Sequence, residues 1–177
     1  MTAGGRRFEE GMFIDKGGGK DNGTAFLAAA LGLTGLTAAI SASQRWVSFT
    51  LVGTNTSCIP LMSGGSMHAL LLPFGIVLMI AAAGLLVTSG MWRKIVAGVG
   101  ALLGAAVGWF AVGVLADPMA ATTNASNRIA GHFTGWLEVA ATMTTFWPVI
   151  TLIAGALALV FGLFALVRPV VAPADTD

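Results

Sequence analysis

The side chains in this sequence that are best suited to proton transfer or metal binding are His68, His132 and Glu138. Imidazole and carboxylate groups exchange protons near neutral pH, and both ligate divalent metals. If folding brings the three together, they form a proton site facing a quinol or a weak metal site. Their spacing does not require this arrangement, and the alternative is three separate groups at the surface.

Other chemical motifs are missing from the sequence. It contains no nucleophile elbow, phosphate loop or close carboxylate pair. A single cysteine, Cys58, cannot build a disulfide framework. A net charge of +1 gives no basic surface for nucleic acid. We therefore predict a protein that is not an enzyme, with no catalytic residue, no cofactor and no structural metal.

Charged residues are concentrated at the two ends of the chain. Of the nine basic and eight acidic residues, eight precede Ala25 and three lie at or after Arg168. The 143 residues between them carry six charged side chains, whereas a water-soluble domain has roughly a quarter of its residues charged. These six are Arg45, Arg93, Lys94, Asp117, Arg128 and Glu138. This distribution predicts an integral protein of the lipid bilayer, in which bound lipids are also possible.

Four uncharged apolar runs are each close to the roughly 20 residues that cross a hydrocarbon core. They are 25–43, 67–88, 95–116 and 146–167. We predict an all-α integral membrane fold, a bundle of four transmembrane helices over residues 25–168. Polar tails at 1–24 and 169–177 flank this membrane domain.

The basic residues predict the orientation of the chain, because Lys and Arg stay preferentially on the cytoplasmic side of short connections. With the N-terminus inside, Arg45 and Arg128 lie outside and the other seven lie inside. Those seven are Arg6, Arg7, Lys16, Lys20, Arg93, Lys94 and Arg168. We predict a multi-pass protein of the plasma (inner) membrane with both termini cytoplasmic. Trp46, Trp92 and Trp147 lie at predicted helix ends, where indole rings prefer the headgroup boundary.

The first predicted external segment, 44–66, has the pattern of a β-hairpin. Val47, Phe49 and Leu51 alternate with Ser48 and Thr50, which is the period of a strand. Residues 53–57 have turn chemistry, and residues 58–62 can return as a second strand. Since an isolated hairpin is marginally stable, we expect it to pack on the second external segment or on a partner.

The second predicted external segment, 117–145, carries apolar residues at helical spacing. They are Ile129, Phe133, Trp136, Leu137 and Ala140. The pattern predicts a short amphipathic helix resting on the membrane face or on the hairpin. Such a helix either docks a partner or only caps its own bundle.

Glycine spacing and one proline predict features of the spans themselves. Gly100, Gly104 and Gly108 recur every four residues, which makes a groove where another backbone approaches closely. We favour packing within the same chain over dimerisation. Pro73, early in the second run, is expected to break one helical hydrogen bond and to kink the helix.

Several short segments together resemble the actinobacterial tryptophan-operon-associated, or tryptophan-biosynthesis-associated, membrane proteins, a family named for its gene neighbourhood. They are Arg45-Trp46-Val47, Ser63-Gly64, Ala69-Leu70-Leu71-Leu72-Pro73, Gly90-Met91-Trp92-Arg93-Lys94 and the glycine-rich third run. The resemblance extends from the first run to the fourth. It implies a membrane protein without an agreed activity.

The first functional hypothesis is an accessory or structural subunit that docks on other integral membrane subunits. Its leading example is the actinobacterial respiratory (cytochrome bc-oxidase) supercomplex. The spans lack ionisable groups, which transport or catalysis within a membrane normally needs, and they are rich in small residues. Phe8, Phe13 and Ile14 are the expected anchors of the N-terminal tail.

The alternative hypothesis is a small transporter or permease component for tryptophan or another aromatic amino acid, as the family's name hints. Transporters place broken helices and polar groups near the midplane of the membrane. In this sequence, Thr34, Thr37 and the Pro73 position are the features of that kind. Four spans would also have to oligomerise to enclose a path.

Overall fold

The computed structural model describes residues 18–51, 61–130 and 139–167. These residues form six helices and three strands. In chain order, they are α1 (Gly18–Ser43), β1 (Arg45–Leu51), β2 (Leu61–Ser63), α2 (Gly64–Met67), α3 (Leu71–Val87), α4 (Gly90–Ala116), α5 (Pro118–Ala130), β3 (Val139–Thr144) and α6 (Trp147–Val167).

Three of the helices are long and apolar enough to cross a membrane. They are α4, α6 and the Asn22–Ser43 part of α1, with 27, 21 and 22 residues. The second predicted run, 67–88, is shorter in the structure than predicted, because Gly64–Met67 forms a separate helix and α3 begins only at Leu71. The 17 residues of α3 are apolar but lie at the short end of the spanning range. A fourth span therefore stays a prediction.

The four long helices pack in the cyclic order α1–α3–α4–α6. Leu31 of α1, Leu78 of α3 and Val107 of α4 are almost completely buried between them. Large apolar side chains on the outer faces are exposed, for example Ile80 of α3 and Leu102 of α4. An apolar exterior around a packed apolar interior is what a bundle surrounded by lipid requires.

Small residues bring the backbones of α4 and α6 into direct contact. A Cβ added to Gly155 would lie 2.5 Å from the backbone nitrogen of Gly108, and one added to Gly104 would lie 2.6 Å from that of Leu159. Gly100 faces α1 instead, since its Cβ would lie 3.1 Å from Leu31 Cδ2. All three glycines of the predicted groove therefore lie against helices of the same chain.

A second close approach joins α1 to α3. A Cβ on Gly75 would lie 2.7 Å from the backbone nitrogen of Ala39, and one on Gly35 would lie 2.9 Å from the carbonyl oxygen of Gly75. Neither position has space for a larger side chain. In both the α1–α3 and the α4–α6 contact, glycines thus pack directly against the backbone of the neighbouring helix.

Two helices begin earlier than the sequence predicts. Helix α1 begins at Gly18 rather than 25, and α4 begins at Gly90 rather than 95. Consequently, Trp92, Arg93 and Lys94 lie within the first five residues of α4 and not in the connection before it. That connection is only Thr88 and Ser89, and Gly90 follows it with a φ of 62°, a conformation that favours glycine.

The prediction that Pro73 breaks a helical hydrogen bond and kinks its helix is wrong. Because α3 begins at Leu71, Pro73 lies in the first turn, where a backbone N–H has no partner within the helix. The first helical bond of α3 runs from the Phe74 N–H to the Leu70 carbonyl at 3.0 Å. The proline ring therefore removes no hydrogen bond and requires no kink.

The predicted β-hairpin is present as part of a larger sheet. Strand β1 pairs with β2 on one side and with β3 on the other, both antiparallel, in the order β2–β1–β3. Val47 lies opposite Met62 of β2 and Thr144 of β3. The second long connection therefore supplies a third strand. This agrees with the expectation that the hairpin, marginally stable by itself, packs on that segment.

The predicted amphipathic helix is wrong at its C-terminal end, whereas Ile129 at its start lies in a helix. Helix α5 ends at Ala130, and Ala140, which was expected in the helix, lies in strand β3. Pairing with β1 stabilises the extended conformation of Val139–Thr144, a long-range effect that the helical spacing does not reveal. Phe133, Trp136 and Leu137 lie outside the described residues.

Candidate functional site

A buried polar cluster joins the sheet to the helix bundle. We define the Trp46 cluster as Trp46, Ser41 and Thr151, whose side chains have no exposed surface. The indole Nε1–H of Trp46 donates to the Ser41 carbonyl at 2.9 Å and lies 3.0 Å from Ser41 Oγ. Ser41 Oγ also pairs with Thr151 Oγ1 at 2.5 Å, and Thr151 donates to the Trp147 carbonyl at 2.9 Å. The cluster thus ties β1, α1 and α6 together with every hydroxyl satisfied.

A β-bulge places Trp46 in this cluster. The pairing of β1 with β2 passes from Arg45–Ser63 directly to Val47–Met62, so Trp46 is the extra residue. The bulge allows both Trp46 and Val47 to be buried, although strand residues normally alternate between faces. Gly64 fits beneath the indole, because a Cβ there would lie 2.6 Å from Trp46 Cε2.

Trp46 therefore does not face the lipid headgroups, and its depth in the membrane stays a prediction. Its ring is enclosed by the protein, because the bulge and the Ser41 acceptors hold it between the sheet and the bundle. Trp92, in the first turn of α4, is 69% exposed, and Trp147, at the start of α6, is partly buried.

A small pocket with three polar residues in its lining opens where α4 meets α5. It has a volume of about 220 Å³. Its lining consists of His68, Gly113, Asp117, Ala120, Ala121 and Asn124. Asp117 Oδ1 accepts the N–H of Ala120 at 2.9 Å, which caps the start of α5. The pocket brings an imidazole, a carboxylate and a carboxamide together from three parts of the chain.

His68 is the member of the predicted polar site that the structure describes. Its ring stacks on Phe110 with the centroids 4.7 Å apart, and Phe110 stacks in turn on Phe74 at 5.8 Å. His132 and Glu138 lie outside the described residues, so their proximity to His68 stays a prediction. Within the described ranges, no group of three His, Cys, Asp or Glu residues is placed to hold a metal ion.

The predicted docking residues are described only in part. Ile129 lies near the C-terminal end of α5. Phe8, Phe13, Ile14, Phe133 and Trp136 lie outside the described residues. Their role in binding a partner stays a prediction.

The sequence did not single out the polar residues that form the Trp46 cluster and the pocket between α4 and α5, apart from His68. Ser41 and Thr151 lie inside apolar runs, where a hydroxyl commonly bonds to its own helix. Asp117 was recognised as one of the six charged residues between the two ends of the chain, and its position beside Asn124 depends on where α5 lies. A possible signal was the closeness of Ser41 to Trp46, whose indole N–H needs an acceptor when buried.

The fold and these sites define a class. The protein is a multi-pass membrane protein, in which an apolar helix bundle is joined through a buried tryptophan to a small antiparallel sheet. The sequence profile of the tryptophan-associated transmembrane protein family matches residues 28–177, so the chain belongs to that family. This confirms the family predicted from the resemblance. A comparison with the curated proteins found no match.

Proposed function

We propose that the protein is a non-catalytic accessory or structural subunit of a larger plasma-membrane complex. The observation that carries this proposal is the interior of the bundle, which is filled by apolar side chains and by hydroxyls that already have acceptors. Such an interior supports a protein that acts through its surfaces.

The buried hydroxyls within the long helices illustrate the point. Thr34 Oγ1 donates to the Leu31 carbonyl at 2.8 Å, and Ser41 and Thr151 bond to each other. Leu31, Leu78 and Val107 fill the space between the helices. Since a polar solute or a proton needs exchangeable partners along its path, this interior favours a structural role over transport.

Helix α3 serves as the fourth span in this proposal. It lies between α1 and α4 in the bundle, and glycine contacts hold it against α1. Its outward side chains are apolar, including Leu72, Ile76 and Leu86. Leu70, before the helix, is also exposed. With four spans and the N-terminus inside, both termini are cytoplasmic and the sheet is external.

The proposed docking surfaces are the N-terminal tail and the second connection. Phe8, Phe13 and Ile14 give the charged tail an apolar anchor, and Ile129, Phe133 and Trp136 give the other connection a second one. The respiratory (cytochrome bc-oxidase) supercomplex is the first candidate partner to test.

The transporter alternative has less support from the geometry. The Thr37 hydroxyl donates to the Leu33 carbonyl at 2.9 Å, and the Thr34 hydroxyl is likewise bonded to its own helix. Pro73 lies in a first turn and breaks no helix. The three features that suggested a substrate path are thus accounted for by local structure.

An uptake assay separates the two functions. We expect a deletion strain to take up labelled tryptophan at the rate of the parent strain, and the complemented strain to match both. A reduced rate in the deletion strain that is restored by the wild-type gene would favour transport instead.

A second experiment tests docking through the tail. Replacing Phe8, Phe13 and Ile14 with Asp should leave membrane insertion intact and should reduce co-purification with partner subunits. The matched control replaces Thr2, Gly4 and Gly11 with Asp, which adds the same charge to the tail but removes no apolar side chain. Equal recovery of partners with both variants would contradict docking through these anchors.

A further inference from the structure

Arg93 is a partly buried cation at one end of the bundle. Its Nη2 donates to Thr24 Oγ1 of α1 at 2.9 Å, while its Nε is buried and has no hydrogen-bond partner among the described residues. The side chain as a whole is partly exposed. A guanidinium has five N–H donors, so the hydroxyl of Thr24 satisfies only a small part of its capacity.

The charge of Arg93 lacks a described counter-ion. Asp117 is the only acidic residue whose side chain the structure describes, and it follows the opposite end of α4. At the rise of an α-helix, the two positions are about 36 Å apart. Arg93 also lies in the first turn of its helix, where the macrodipole is already positive, and Lys94 adds a further charge beside it.

An apolar groove lies at the same end of the bundle, on the outer face of α1 and α6. Its volume is about 300 Å³. The lining residues are Gly23, Phe26, Leu27, Val160, Phe161 and Phe164. Phe26 and Phe161 meet edge to face with centroids 6.2 Å apart. Gly23 directly precedes Thr24, the acceptor of the Arg93 hydrogen bond.

We propose that this end of the bundle binds an anionic phospholipid. The phosphate lies against the exposed part of the Arg93 guanidinium and against Lys94, and one acyl chain lies in the groove of α1 and α6. Charge complementarity favours this occupant, because the guanidinium lacks a counter-ion among the described residues and the groove at the same end of the bundle is almost entirely apolar. The predicted cytoplasmic orientation agrees, since basic residues beside a span favour anionic headgroups on that side.

The test is lipid binding by the purified full-length chain in mild detergent, measured by native mass spectrometry. Phosphatidylglycerol and phosphatidylcholine with identical acyl chains are titrated separately. Wild-type protein should prefer phosphatidylglycerol, and Arg93→Gln should lower that preference on the order of tenfold, as expected for one lost charged contact. Arg45→Gln is the matched control, because Arg45 is exposed at the other end of α1.

The apolar half of the site has its own matched pair of variants. Phe164 lines the groove and Phe146 does not, and both side chains are 63% exposed. Phe164→Ala should weaken binding of both lipids severalfold and keep their ratio, whereas Phe146→Ala should change neither. Equal effects of the two substitutions would overturn the groove as the acyl-chain site.

Three outcomes would overturn the headgroup site. They are equal binding of the two lipids by the wild-type chain, an unchanged preference in Arg93→Gln, and saturation of the site by inorganic phosphate without lipid. A preference that appears only after removal of 169–177 would assign the guanidinium to the acidic tail instead. If Arg93→Gln does not fold, the wild-type preference must still fall as salt rises, and a salt-independent preference would contradict the proposal.

Discussion

At the residue scale, the Trp46 cluster determines how the sheet is attached to the bundle. Trp46, Ser41 and Thr151 belong to three different elements and have no exposed surface. In an apolar interior, a polar group without a partner is costly. The cluster therefore favours one relative position of the three elements over others that would leave an N–H or a hydroxyl unpaired.

The first prediction concerns the indole N–H. Trp46→Phe removes the donor to the Ser41 carbonyl and part of a fully buried ring, and we expect a loss of about 2 kcal/mol in the free energy of unfolding. Denaturant unfolding in detergent, followed by circular dichroism, measures the change. Trp92→Phe is the control, since Trp92 is 69% exposed. Equal stability of the two variants would show that the cluster does not hold the sheet.

At the element scale, two glycine contacts determine which helices are neighbours. Gly155 lies against the backbone of Gly108 and Gly104, and Gly75 lies against the backbone of Ala39 and Gly35. Because lipid tails are as apolar as the side chains, close packing rather than the hydrophobic effect stabilises such pairs. A single methyl group at these positions has to move a backbone.

The second prediction tests the α4–α6 contact. Gly155→Ala should destabilise the bundle by about 1–3 kcal/mol, because the added Cβ would lie 2.5 Å from the Gly108 nitrogen. Gly113→Ala is the matched control, since nothing lies within 4 Å of its Cβ position. The same unfolding assay compares the two variants. If Gly155→Ala is as stable as the control, the helices are not in backbone contact.

Some of the helices and strands could be predicted from the sequence, and strand β3 could not. Runs of apolar residues predicted α6 and the end of α4 closely, because composition and length determine these apolar helices. The alternation at Val47 predicted β1, but it did not reveal β3. Val139–Thr144 is extended because it pairs with β1, nearly a hundred residues away in the chain, and the spacing of Trp136 and Ala140 favoured a helix.

The candidate site was less predictable for the same reason. His68 was selected by its chemistry, but Asp117 and Asn124 join it only because α5 returns towards the end of α4. Trp46 was assigned to the headgroup boundary from its place at a helix end. Only the bulge in β1 and the acceptors on Ser41 bury it, and neither is visible in local spacing.

At the scale of the whole molecule, the number of spans decides on which side of the membrane each surface acts. The described residues include three helices of spanning length, and α3 packs among them with 17 residues. If α3 crosses the membrane, the sheet and the C-terminus lie on opposite sides. If it does not, only α4 crosses the membrane between β1 and β3, and two strands that pair in one sheet would lie on opposite sides.

The third prediction uses the single cysteine to count the spans. Cys58 lies between β1 and β2 in the sequence, and α3, α4 and α6 separate it from Thr176. A membrane-impermeant maleimide should label Cys58 on intact cells. In a Cys58→Ser background, Thr176→Cys should react only after permeabilisation. Labelling of both positions on intact cells would contradict the fourth span.

The measurement that tests the central claim most directly is identification of what the protein binds in its own membrane. Native membranes are solubilised in a mild detergent, the chain is captured by a tag after Asp177, and its partners are quantified by mass spectrometry. The account predicts subunits of a large membrane complex in fixed ratio to the protein. Recovery of the protein alone, or only as a homo-oligomer, would contradict the accessory-subunit function.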